Sequence, residues 1–106
     1  MKLTTKRPIK WSKLGIEIPS GVTLDMQWDQ QYPSRLSFKH ESGKTLRCRV
    51  VTAHLNFEKF PKPPTDKTLE KWEWDGYCKT PTGLKTEPDG RAHDGSPSWL
   101  LAMEMI

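Results

Sequence analysis

The chain has 106 residues, 28% of them charged and 34% hydrophobic, with a formal net charge of +4. That length supports one small domain, with residues 1–13 expected as a flexible basic N-terminal segment, and excludes a large catalytic architecture such as an eight-stranded α/β barrel. No run approaches the ~20 apolar residues of a membrane span, and Met1-Lys2-Leu3-Thr4-Thr5-Lys6-Arg7-Pro8 lacks the apolar stretch of a secretory signal, so the expected setting is cytoplasmic, with Cys48 and Cys78 as free thiols.

Period-2 alternation marks the first strands. Leu14, Ile16 and Ile18 alternate with Gly15 and Glu17, and Val22, Leu24, Met26 and Trp28 alternate with Thr23, Asp25 and Gln27. Pro19-Ser20-Gly21 between them suits a three-residue hairpin loop, with Gly21 in the left-handed region. That loop predicts Ile18 opposite Val22, Ile16 opposite Leu24 and Leu14 opposite Met26.

The device recurs downstream. Leu36 and Phe38 alternate with Arg35, Ser37 and Lys39, and Leu46, Cys48 and Val50 alternate with Thr45, Arg47 and Arg49, across the loop Glu41-Ser42-Gly43. The spacing predicts Phe38 opposite Leu46 and Leu36 opposite Cys48, with Cys48 a core residue rather than a reactive thiol. It also sets Arg35 directly across from Arg49, and like charges facing one another destabilise a hairpin. Three readings stand together: an anion lies over the pair, the two side chains splay into water, or Asp25 or Asp29 from a neighbouring strand neutralises them.

Beyond Val50 the alternation breaks. Residues 52–60 fit either a bulged strand or a short helix capped by Thr52. Pro61-Lys62-Pro63-Pro64 ends that stretch. Thr65 then suits an N-cap, Asp66 the first turn, Leu69 and Trp72 one buried face, and Gly76 the stop, which predicts a helix over 66–75. Residues 77–86, turning at Pro81-Thr82-Gly83, read as a small hairpin. The apolar end Ser98–Ile106 is expected to fold back onto the core or to form a homodimer contact. The predicted fold is α+β: a small antiparallel β-meander with one or two short helices and a C-terminal hairpin.

The run from Pro64 to Gly76, followed by a Gly-tipped hairpin, resembles the second helix and wing of MerR-type and phage excisionase-type winged helix-turn-helix domains over residues 52–90. The resemblance implies a helix in the DNA major groove, with Lys67, Thr68 and Lys71 facing the nucleic acid. This chain departs from that pattern, because 66–75 also holds Asp66, Glu70, Glu73 and Asp75, and an acidic helix meets phosphates at an electrostatic cost. In size and turn-rich ending the chain is also similar to small phage or mobile-element proteins.

Charge placement points to function. Residues 1–53 carry ten Lys/Arg against four Asp/Glu, whereas residues 54–106 carry seven against nine. A basic half with a mildly acidic half suggests one polyanion-facing surface. The expected role is a nucleic-acid-binding accessory or regulatory protein, with DNA preferred to RNA. Its phosphate contacts are Lys6, Arg7, Lys10, Arg35, Lys39, Lys44, Arg47 and Arg49. Trp11, Trp74 and Tyr77 are the candidates for stacking on bases or anchoring an interface. Reversing Arg47 and Arg49 together is expected to abolish polyanion binding and leave the fold intact. The alternative role is a protein-binding inhibitor or adaptor acting on an acidic surface of a host complex.

Enzyme chemistry has little in its favour, and no enzyme, cofactor or metal is expected. His40, His54 and His93 are scattered and form no metal-ligand spacing. Gly43-Lys44-Thr45 resembles the end of a phosphate-binding loop, but the first glycine that motif requires is Phe38 here. Asp89, His93 and Asp94 form one local polar cluster, in a stretch whose Asp-Gly pairs also read simply as turns.

Overall fold

Turn chemistry and apolar alternation agree most strongly in the second predicted hairpin, and the structure follows them. In the computed structural model, which describes residues 1–106, β6 (Arg35–Lys39) and β7 (Thr45–Arg49) pair antiparallel. Leu36 faces Cys48, Phe38 faces Leu46 and Arg35 faces Arg49. His40 donates its N–H to the Lys44 carbonyl (2.9 Å), and Gly43 closes the loop at φ +87°, where a Cβ would be strained. β5 (Gln27–Trp28) adds to the other side of β6, giving the three-stranded meander β5-β6-β7. Its inner face carries Leu36, Phe38, Leu46 and Cys48, all buried.

The first predicted hairpin does not form. Strand β3 (Ile16–Ile18) pairs instead with β2 (Ile9–Trp11), and β4 (Thr23–Asp25) pairs with β1 (Lys2–Thr4). Ile18 therefore faces Ile9 rather than Val22, Ile16 faces Trp11 and Leu24 faces Leu3. The cause is Thr5, which is fully buried and wedges between the two arms. Its hydroxyl donates to the Pro19 carbonyl (2.7 Å) and accepts from the Val22 N–H (3.0 Å). Its backbone N–H donates to Val22 O and its carbonyl accepts from Gly21 N–H. The bonds a tight hairpin would make are thus taken by the N-terminal strand. It follows that residues 1–13 are not a flexible arm but two strands of the fold.

Residues 50–56 resolve into a 3-10 turn and a short helix, α1 (Ala53–Asn56), rather than a bulged strand; Thr52 precedes it without a side-chain capping bond. Helix α2 (Asp66–Asp75) has the predicted limits. The Thr65 hydroxyl accepts from the Thr68 N–H, and Gly76 adopts φ +74° and donates to the Trp72 carbonyl (3.1 Å). Leu69 is the fully buried residue of its inner face, and the helix packs on α3 (Trp99–Ala102) and β8 (Cys78–Lys79). β8 pairs with β9 (Lys85–Thr86) to form the C-terminal hairpin. The apolar tail folds inward: Ser98 caps α3, while Trp99, Leu100 and Ala102 join Phe57, Val50 and Met26 in the core. Of that tail, Met105 and Ile106 stay exposed for any intermolecular contact. The fold is a small α+β arrangement of antiparallel strand pairs with short helices, and no helix is long and apolar enough to cross a membrane.

Candidate nucleic-acid interface

Because side chains alternate across a strand, the apolar inner face of the meander fixes what lies outside. Arg35, Ser37 and Lys39 of β6 project from the same face as Thr45, Arg47 and Arg49 of β7, and Gln27 of β5 joins that face opposite Ser37. Lys39 and Arg49 are exposed and Arg35 is half-buried. No carboxylate lies within 4.0 Å of any of these three. The Arg35–Arg49 pair therefore stands unneutralised, which disposes of the reading in which Asp25 or Asp29 quenches it. Lys44 is exposed at the hairpin tip.

Arg47 is the exception and corrects the sequence-based assignment. Its Nε donates to Asp29 Oδ2 at 2.8 Å, and its guanidinium lies 5.1 Å from the Tyr32 ring centre. Asp29 is 4% exposed. Its other oxygen accepts the N–H groups of Gln31 and Tyr32 (2.9 and 2.8 Å), closing the turn that leads into β6. Burial pushes the Asp29 carboxyl up, but the Tyr32 N–H, the Arg47 guanidinium and the Gln31 N–H together outweigh it and hold the group below its ordinary value. Arg47 is thus a structural cation first, and reversing it cannot leave the fold untouched.

Of the N-terminal cations, Lys6, Arg7 and Lys10 are exposed and have no carboxylate within 4.0 Å. Arg7 donates Nε to the neutral amide oxygen Asn56 Oδ1 (2.7 Å), and Lys10 sits across β2–β3 from Glu17.

The aromatic candidates also separate. Trp11 lies edge-on against Phe38, with ring centres 5.8 Å apart, and its indole N–H donates to the Arg47 carbonyl (3.0 Å). It is a packing residue that clamps β7, not a free stacking platform. Trp74 is 90% exposed on α2, bordered by Glu70 and Glu73. Tyr77 is on the surface, with the Lys85 ammonium 5.1 Å from its ring centre.

Helix α2 presents Lys67 and Lys71 to solvent among its four acids, and the Thr68 hydroxyl is bonded to that of Thr65 (3.1 Å). In the 87–95 segment, the Asp94 carboxylate accepts the Ser96 N–H and hydroxyl and the Thr82 hydroxyl. Burial raises its pKa, and these bonds together with nearby His93 more than reverse that, so it is held below the ordinary value. The group serves as the brace of a turn. Comparison with protein-family models, curated proteins and solved structures returns no match to this chain.

One residue that sequence reasoning passed over is Arg91. It crosses from the C-terminal segment to the β5–β6 turn, donating to the carbonyls of Asp29 (2.8 Å), Gln30 (3.3 Å) and Gly95 (3.2 Å). A single Arg after Asp-Gly carries no period or spacing, so nothing in the sequence distinguishes it.

Proposed function

We propose that this protein binds nucleic acid, DNA in the first instance, as an accessory or regulatory protein, by neutralising backbone phosphates with the outer face of β6–β7. The observation that carries the reading is the Arg35–Arg49 pair: two guanidinium groups at facing strand positions, flanked by Lys39, with no acid in reach. Such a pair costs stability in the free protein, and a bound phosphate converts the repulsion into charge-assisted hydrogen bonds. Arg contributes a planar fork suited to phosphate oxygens, whereas Lys39 and Lys44 act as point charges.

The test is a salt titration with a companion variant. Three to four phosphate contacts make duplex affinity fall by about 40- to 150-fold between about 50 and 200 mM salt. Lys39→Glu combined with Arg49→Glu, at two exposed and unpartnered positions, removes binding and keeps the fold. Affinity that ignores salt, or that survives in this double variant, refutes the reading.

A second reading draws on Trp74, whose 90% exposure supports a role as an anchor for a protein partner. On that reading the chain is an inhibitor or adaptor that docks on a host complex. Capture of a partner from nuclease-treated lysate, lost on Trp74→Ala and retained in the Lys39→Glu/Arg49→Glu protein, selects it over the first.

A further inference from the structure

The meander is closed at β7 by Trp11 but open at β5, and a concavity of about 530 Å³ lies along that open edge. The antiparallel register determines what faces it. Gln27 is opposite Ser37, and the Asp29 N–H bonds to the Arg35 carbonyl (3.1 Å). Positions 27 and 29 are therefore the hydrogen-bonding ones, and the N–H and C=O of Trp28 between them point away from β6, toward the cavity.

Around this backbone donor and acceptor stand the Gln27 and Gln30 side chains, both exposed and making no side-chain hydrogen bond. The half-buried Trp28 indole, backed by Phe60 at 6.2 Å between ring centres, forms a flat apolar wall. Arg91 is held there by three carbonyls and has no carboxylate within 4.0 Å, so its position is fixed and its charge uncompensated. Asp94 also lines it, its carboxylate braced by Ser96 and Thr82. The volume lies within the range of small-ligand sites.

We infer that this cavity receives one unstacked nucleotide of a single-stranded nucleic acid whose phosphates run over the adjacent Arg35–Arg49 face, an inference that rests on the function proposed above. The chemistry matches part by part. A base offers a flat face for the Trp28 wall and a hydrogen-bonding edge for the Trp28 backbone and the two glutamine amides. The fixed Arg91 guanidinium meets a phosphate, and the Asp94 carboxylate accepts from an exocyclic amino group. Continuity is given by the sheet itself. Arg35 is one strand from β5, about 5 Å, so a chain crossing Arg49 and Arg35 reaches the cavity in a single further step.

The experiment compares single-stranded DNA of about eight nucleotides with an abasic oligomer of the same length and charge, each titrated by fluorescence anisotropy at fixed salt. The base-containing oligomer binds about tenfold more tightly, the value of one stacked base. Gln27→Ala with Gln30→Ala, both outside the core, narrows that advantage by removing the edge contacts, while stacking on Trp28 and the salt dependence are kept. The side-chain amide signals of Gln27 and Gln30 shift with the base-containing oligomer alone. Equal affinity for the two oligomers, or a difference undiminished in the glutamine variant, overturns this inference and leaves phosphate binding by the hairpin standing. Absence of binding to either oligomer overturns this inference, and absence of binding to duplex DNA as well overturns the proposed function with it.

Discussion

Arg47 and Arg49 occupy alternate positions of one strand on one face, yet their reversal gives opposite results. Arg47 donates at 2.8 Å to an Asp29 that is 4% exposed. A charge-assisted hydrogen bond of this kind contributes about 1.5–3 kcal/mol, and the 38% exposure of the Arg47 side chain puts it toward the lower end through solvent screening. A glutamate in its place adds repulsion. Two like charges about 4 Å apart at an effective dielectric of about 20 cost about 4 kcal/mol, which a flexible side chain relieves in large part by turning outward. The net loss for Arg47→Glu is about 2–4 kcal/mol, a large share of the roughly 5–15 kcal/mol that holds a small domain. At about 4–8 °C per kcal/mol, its melting midpoint falls by more than about 8 °C. Arg49→Glu breaks no bond and replaces the Arg35–Arg49 repulsion with attraction, so its stability stays within about 0.5 kcal/mol of the parent or rises slightly. Thermal and urea unfolding followed by far-UV circular dichroism near neutral pH measures both. Equal midpoints for the two variants refute the reasoning, because they remove the distinction between a structural and a free arginine on this face.

Three further outcomes follow from the same structure. Asp29 is held below its ordinary value of 3.8, so the stability it contributes is complete above about pH 4 and is lost as pH falls through the lowered folded value. Asp29→Asn is therefore less stable at neutral pH and shows a shallower acid-side decline in a pH series of urea midpoints. Burial pushes the Cys48 thiol up to about 11, so a thiol reagent at neutral pH labels it at the rate of unfolding, and prompt labelling of the folded protein contradicts its place in the core. Gly76→Ala forces an L side chain to φ +74° at the end of α2 and costs about 1 kcal/mol by chemical denaturation. No loss there means that the helix ends some other way.

Where turn and pattern agree locally, the sequence was readable. The β6–β7 register, the Thr65–Gly76 limits of α2 and the inward fold of the C-terminal segment each follow from signals within a dozen residues. The first hairpin failed for the opposite reason. Ile16, Ile18 and Leu24 alternate equally well against Ile9 or Leu3, so period alone cannot choose a partner, and the choice falls to one buried hydroxyl, Thr5, far from the turn it occupies. The candidate site divided in the same way. Arg35, Lys39 and Arg49 were legible because alternation fixes a face. The commitment of Arg47 to Asp29 depended on which strand lies beside β6, and Arg91 depended on a contact spanning about sixty positions of chain.

The turn at residues 29–32 bulges into solvent at Gln30, Gln31 and Tyr32, where a protease would be expected to cut. It is, however, stitched from both directions, by Arg47 reaching up from β7 and by Arg91 reaching across from the far end of the sequence. Its amides at 31 and 32 both donate to the buried Asp29 carboxylate, so hydrogen–deuterium exchange is expected to find them slow despite their exposed residues. Replacing Arg91 alone would unfasten that turn and, through Asp29, slacken a cationic face some forty to fifty-five residues away in sequence.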